Sequence, residues 1–390
     1  MRIVYLIADP GIPLDGKKGA TQHVQGVRSA LERGGHEVIL LAVNPGRLED
    51  GERVLRISVG SAEGEERFRA AQSWIVDHAT GLSQRLGSVD IVLERLALFP
   101  SAGHRLARAL GAIHLLEVNA PLAQEAASHR RLAARDEAQR LEDRAIAEAD
   151  GVVTVSRTLT RQAIELRGGS HGVLHLPNGV DVSRFQAARG ERETMRARIG
   201  AEPGRCVVAF VGTLKPWHGA DRLLAAAEAA RRRGADIQLL VIGDGPEGKA
   251  LVTRASAGPL ADRFAFTGAI DASEVPCWLA AADVGAAFYP PLDSFYFSPL
   301  KVAEYASAGL PIARSTNVEM DDLVPPDAGC VVVPPGDVEA FAEALTRLAA
   351  DPELRAQLGA RAVERARAAL DWSIKVETIL GFAAKLRVTV

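Results

Sequence analysis

The feature that most constrains this chain is an alternation. Short runs rich in Val, Ile and Leu, among them RIVYLIA, GGHEVILLAV, DIVLERL, AIHLLEV, GVVTVS and GVLHLP, are separated by longer segments rich in Ala, Leu and Arg. Runs that are apolar throughout suit strands buried on both faces. The intervening segments are long enough for crossover helices, so the pattern predicts β-α units, a parallel sheet and ligand loops at the carboxyl ends of the strands. After LPNGVDVSRF the pattern starts over, with CVVAFVG, IQLLVIGDG, RFAFTGA and DVGAAFYP as strands and DRLLAAAEAARRRG as a helix. A chain of 390 residues exceeds one ordinary core. The stretch HLPNGVDVSRFQAARGERETMRARIGAEPGR, mixed in Pro, Gly and charge, reads as a linker with a short helix. The boundary is placed near residue 185, giving domains 1–185 and 186–370. The closing segment reads as two helices broken around Asp371, and no low-complexity segment or short solenoid repeat is present.

Composition narrows the partners. The net charge is −3 and the sequence pI about 6.3, so no overall basic excess points to nucleic acid or an anionic membrane surface. Cys206, Cys277 and Cys330 follow no metal-ligand or C-x-x-C spacing, which suits a reducing compartment. MRIVYLIADPG has one charge, Arg2, ahead of a short apolar run and reads as a first strand rather than a signal peptide. Nothing approaches the ~18 apolar residues of a membrane span. The expectation is a cytoplasmic protein whose membrane contact is at most peripheral.

The stretch FSPLKVAEYASAGLP, residues 297–311, carries the clearest chemistry. Ser298 reads as a helix cap, Pro299 as the first helical residue and Gly309 as a left-handed stop. A helix start beside Lys301 can hold an anion, and Glu304, one turn on, can accept hydrogen bonds from hydroxyls. The plainer alternative is an i,i+3 salt bridge between Lys301 and Glu304 on a solvated helix.

Taken together with GTLKPWHG (212–219), VIGDGPE (241–247), FTGAI (266–270), GIPLDGKKGATQHV (11–24), LPNGVD (176–181) and DGVVTVS (150–156), this stretch makes the chain resemble the GT-B glycosyltransferases of the retaining family 4 type. The resemblance spans nearly the whole chain and rests on the order and spacing of motifs that are individually weak. It implies an α/β fold of two Rossmann-like domains facing a cleft, with the C-terminal helix, 371–390, crossing back to the N-terminal domain. The nucleotide-sugar donor would be held mainly by the C-terminal domain and the acceptor mainly by the N-terminal one.

The chemistry implied is transfer of a sugar while negative charge grows on a leaving diphosphate, met by preorganised cations and N–H dipoles. Lys301 and the helix start at Ser298, Pro299 and Leu300 would meet that charge, and Glu304 matches the family's ribose-binding Glu. The family's earlier Glu would fall at 296, where this chain has Tyr296. In GTLKPWHG the family's Arg and Lys positions hold Thr213 and His218. Lys215 offers a charge from a neighbouring position, and His218 a hydrogen bond or, if protonated, a charge. Gly212, Gly243, Gly245 and Ile270 belong to the loops around the nucleotide, although turns alone account for such glycines. Gly19 stands at the family's glycine position, with Lys17 and Lys18 beside it.

His23, Glu94, Arg95, Glu117, Asn119 and Glu125 are the acceptor and donor-sugar candidates. For them, structural pairing (a satisfied His23, or Arg95 with Glu94 or Glu117) is the alternative. No bound cofactor is expected beyond the co-substrate, with UDP or GDP as its base carrier. No metal is expected, because no D-x-D lies near a nucleotide loop and Asp321-Asp322 reads as solvated surface. Small-molecule, glycan and lipid-linked acceptors stay open. So do a nucleotide-sugar epimerase or hydrolase and a non-catalytic GT-B module, whereas an exported two-lobed sugar receptor would need a signal peptide.

Overall fold

The computed structural model describes residues 1–16, 19–48, 53–129 and 132–388. Lys17 and Lys18 lie outside the described residues. The chain divides into two compact units. The first comprises Met1–Pro177, Tyr296–Ser298 and the chain from Trp372 onward; the second comprises Asn178–Phe295 and Pro299–Asp371.

The first unit is built on a seven-stranded sheet: β1 (Arg2–Ile7), β2 (Glu37–Ala42), β3 (Val54–Arg56), β4 (Ile91–Arg95), β5 (Ile113–Val118), β6 (Gly151–Thr154) and β7 (Val173–His175), in the order β3-β2-β1-β4-β5-β6-β7. The second unit has six strands: β8 (Cys206–Val211), β9 (Ile237–Ile242), β10 (Phe264–Phe266), β11 (Val284–Ala287), β12 (Ile312–Ser315) and β13 (Cys330–Val333), in the order β10-β9-β8-β11-β12-β13. Every registered strand pair is parallel. The strands expected from the apolar runs are therefore present, while β3, β12 and β13 are additions.

Each sheet grows outward in both directions from one pair, β1 beside β4 and β8 beside β11. At such a switch point the loops leaving two neighbouring strands turn to opposite faces, and the gap between them is where ligands bind in open α/β sheets. On one face of the first sheet, Ile3, Tyr5, Ile91, Leu93 and Leu115 form a core with the helix Gly19–Arg33 and with Trp372, Val376 and Ile379 of the helix Trp372–Val388. Gly26 meets the Trp372 indole so closely that a Cβ there would lie 2.2 Å from its Nε1. The helix Pro352–Ala369 ends before Asp371, which accepts a hydrogen bond from the Val182 amide.

Among the described residues, no helix is long and apolar enough to cross a membrane. The three cysteines are free thiols, with Cys206 and Cys330 buried.

Candidate active site

The helix Leu300–Ala308 starts one residue later than its sequence suggests. Pro299 sits at the cap position with an extended backbone and makes no side-chain capping bond itself. Ser298, buried, groups with the first unit, whereas Pro299 begins the segment belonging to the second. The stop is as expected: Gly309 is left-handed at φ 77° and closes the helix through its amide.

Tyr305, fully buried, seats this helix on the sheet. Its hydroxyl accepts from the Val211 amide at 3.0 Å and donates to the Ala286 carbonyl at 3.1 Å. Strands β8 and β11 are in register only at Val208/Val284 and Ala209/Gly285. Tyr305 therefore satisfies the backbone of both where they part. The ring lies over Gly285, where a Cβ would come within 2.3 Å of it. Sequence reasoning passed Tyr305 over, although a lone aromatic in an Ala-rich helix that follows a predicted strand is a usable signal.

Lys301, in the first turn of that helix, is only 7% exposed, and its Nζ has no hydrogen-bond partner among the described residues. It stands 3.9 Å from the centroid of the Phe210 ring and 5.3 Å from that of Tyr289, so aromatic faces are its immediate surroundings. Burial presses its ammonium down to about 7 against a partial pull upward from Glu304. Burial lifts the Glu304 carboxyl to about 7, with Lys301 and Arg184 opposing. No ion pair joins Lys301 to Glu304 among the described residues, so the plain i,i+3 salt bridge is not what holds either side chain.

The loop after β8 passes directly by this amine. Gly212 is at φ 131°, and a Cβ there would be 3.7 Å from Lys301 Nζ. Gly243, at φ 120°, would place a Cβ 2.3 Å from the Gly212 carbonyl oxygen. Gly245 would place one 2.6 Å from the Leu214 backbone, and the Leu214 amide donates to the Asp244 carbonyl at 3.0 Å. The loops after β8 and β9 thus interlock backbone to backbone, which requires these glycines with or without a ligand. Ile270, half-buried, follows β10, and Gly268 bridges back to Gly243.

Thr213 and Lys215 are exposed, with Lys215 Nζ 4.8 Å from the centroid of the Trp217 ring. His218 takes the hydrogen-bonding role rather than the charged one. Its Nδ1 donates to the Thr213 carbonyl, which leaves the lone pair on Nε2. Burial first, and then Lys301, push the imidazole down to about 3. At neutral pH it is an uncharged acceptor here, so Lys301 is the cation that this loop surrounds.

In the first unit, Glu117 is the centre of a buried group on the face of the helix Gly19–Arg33. It accepts from the Tyr5 hydroxyl at 2.7 Å and pairs with His23 Nε2 at 3.1 Å. Burial opposes its charge, but His23, Arg95 and the bonds from His23 and Tyr5 outweigh that and hold its carboxyl below the usual value. The His23 ring meets Trp372 edge-on at 5.0 Å. Arg95 ends β4, directly across from Glu117 in register, and Asn119 follows β5. Gly19 is the first residue of the helix that carries His23.

Glu94 is not part of this group. Alternation along β4 sends it to the opposite face, where it pairs with His114 at 2.8 Å under Gly103. Glu125 accepts from the Tyr296 hydroxyl at 2.6 Å. Asp321 is likewise not simple solvated surface, since it takes a hydrogen bond from the fully buried Arg314.

Comparison with known proteins agrees with this architecture. A family model described as Glycosyltransferase Family 4 matches residues 17–184, and one described as Glycosyl transferases group 1 matches residues 205–351. The chain is 33% identical over 219 residues to the GDP-mannose-dependent alpha-(1-6)-phosphatidylinositol monomannoside mannosyltransferase of Mycolicibacterium smegmatis, an overlap of 54% of this chain and 56% of that protein. It is 31% identical over 248 residues to the D-inositol 3-phosphate glycosyltransferase of Nocardia farcinica, covering 61% of this chain and 53% of that one. The chain thus spans about half the length of these curated relatives. The structure of sucrose-phosphate synthase from Thermosynechococcus elongatus superimposes with a TM-score of 0.73 at 20% identity, covering 100% of both chains, so the two share the GT-B fold. Matched in both halves, the chain belongs to the group 1, family 4 glycosyltransferases.

Proposed function

We propose that this protein transfers a sugar, with retained anomeric configuration and without a metal ion, from a nucleotide-diphosphate sugar to an acceptor. The donor is taken by the second domain, residues 186–370, and the acceptor by the first, residues 1–185 with 371–390. One observation carries the reading. Lys301 holds an unpartnered ammonium, more than nine-tenths buried, in the first turn of a helix at the switch point of the second sheet. A cation held there without an anion matches a site whose anion arrives with the substrate. As the bond to the anomeric carbon lengthens, charge builds on the diphosphate, and Lys301 with the amides of Leu300 and Lys301 stabilises it in place. Glu304, one turn further along, takes the ribose hydroxyls. Gly212, Gly243 and Gly245 let the backbone approach the nucleotide, with Thr213, Lys215, His218 and Ile270 along the same loops. Retention follows from family resemblance.

One of the relatives named above is GDP-mannose-dependent and both are named for inositol-based acceptors, which supports GDP as the nucleotide, with UDP the alternative, and a polyol or lipid-linked acceptor. The Tyr5–Glu117–His23 group supports a second reading, hydrolysis or epimerisation of the nucleotide sugar by an acid–base pair. Incubating the protein with UDP- and GDP-sugars, with and without polyol acceptors, separates the two: transfer releases nucleotide only when acceptor is present. Lys301→Ala is expected to lower kcat by about 10²-fold or more. Glu304→Ala is expected to raise the donor KM by about tenfold with a smaller change in kcat. Unchanged kinetics in both variants defeats the assignment.

A further inference from the structure

Two side-chain donors in the first unit are sealed from solvent with nothing to bond. Arg95 Nη1 and Asn119 Nδ2 are both buried and without a hydrogen-bond partner among the described residues. They belong to neighbouring strands at their carboxyl ends, Arg95 closing β4 and Asn119 following β5. A buried donor without a partner keeps its desolvation penalty, the more so when charged, so two such groups at one sheet end call for an acceptor supplied from outside the chain. Glu117, opposite Arg95 in register, feels its charge but does not bond it: the bonds it accepts come from Tyr5 and His23, and no ion pair joins Arg95 to a carboxylate among the described residues.

A guanidinium N–H and a carboxamide N–H, each without a partner and next to a carboxylate that bonds elsewhere, select for an oxyanion rather than for a cation or an apolar group. We propose that Arg95 and Asn119 form an oxyanion site that holds a phosphate or carboxylate carried by the acceptor, so the acceptor class is an anionic polyol rather than a neutral sugar. The proposal rests on the glycosyltransferase reading for calling the ligand an acceptor. The site itself is independent of it. The same donors would suit a diphosphate oxygen of the donor nucleotide, and the test separates the two sources.

Inorganic phosphate is titrated calorimetrically into the full chain with and without saturating GDP or UDP, which occupies the Lys301 site. Phosphate binding that persists with nucleotide bound, and weakens at least about tenfold in Arg95→Met and in Asn119→Leu while nucleotide affinity is unchanged, is the expected result. Binding that disappears once nucleotide is present assigns the donors to the nucleotide and overturns the proposal, as does binding unaffected by either substitution. Should Arg95→Met fail to fold, Asn119→Ala carries the test, with unchanged nucleotide affinity as the check on folding. Nucleotide release from donor sugars is read separately. If it is absent while Arg95-dependent phosphate binding remains, the proposed reaction fails and the oxyanion site stands.

Discussion

Lys301 is the residue at which stability and function pull apart. Among the described residues its ammonium makes no hydrogen bond and lies against ring faces, where cation–π contact returns about 0.5–2 kcal/mol against a larger desolvation cost. The unfolded chain, where a lysine titrates near its ordinary value, binds more protons than the folded one between pH about 7 and that value. This group therefore adds stability as pH rises across that window and costs its full penalty below it. Glu304 acts in the opposite sense: its folded carboxyl is raised to about 7, so its contribution is lost as pH climbs from its ordinary range to about 7. Lys301→Met should raise the thermal midpoint at pH 7 by the equivalent of about 1–3 kcal/mol while removing turnover, and the gain should shrink toward pH 10. Thermal unfolding of both proteins across pH checks this, and a destabilised Lys301→Met would show that the amine has a partner. If the diphosphate is met by the Lys301 ammonium as proposed, nucleotide affinity should fall above pH about 7, by up to about tenfold per unit. In Lys301→Arg, whose guanidinium stays charged, that break should move out of the range.

At the scale of elements, the helix Leu300–Ala308 works because Tyr305 docks it where β8 and β11 diverge. Tyr305→Phe keeps the ring over Gly285 but strands the Val211 amide and the Ala286 carbonyl, at a cost of about 1–3 kcal/mol. Amide exchange at Val211 should speed up more than at the centre of β9, and equal protection at both would mean that Tyr305 is ordinary packing. The same elements show what the sequence could and could not convey. Apolar runs such as CVVAFV and IQLLVI announced their strands because both faces are buried. Strand β12 reads IARS, and an arginine in a four-residue run argues against a buried strand. It is one because Arg314 spends its donors on the Ser315 and Val324 carbonyls, Cys330 and Asp321. Strand β13, CVVV, lies between two Pro-Gly-rich stretches that read as loop, and β3 has only three residues. In the site, Lys301 and Gly309 were legible from local grammar. The neutral state of His218 depends on burial and then on the Lys301 amine, and the pairing of Glu94 on His114, none of which a local sequence window shows.

At the scale of the whole molecule, the helix Trp372–Val388 is the last element of the chain but part of the first unit's core. Its apolar side, Trp372, Val376, Ile379, Ala383 and Leu386, completes the cluster that includes Tyr5, Val24, Val27 and Leu115. Gly26 leaves room for the Trp372 indole, whose ring also meets His23. The break around Asp371 was legible as an interruption between two helical patterns. Its cause is tertiary, since Val180 and Val182 bond to Leu370 and Asp371 and fix the turn within the second unit. Removing the chain after Asp371 should therefore act unequally. The first unit loses a whole core layer, far beyond the 3–5 kcal/mol of a single Trp→Ala cavity, and should melt or become protease-sensitive. The second unit keeps its sheet, its Lys301 helix and its interlocked glycine loops, and should still bind nucleotide with near-unchanged affinity. Limited proteolysis combined with nucleotide titration of the truncated protein reads both at once. Loss of nucleotide binding would mean that the second unit does not stand on its own core, whereas an intact first unit would mean that the terminal helix is a cover rather than part of that core.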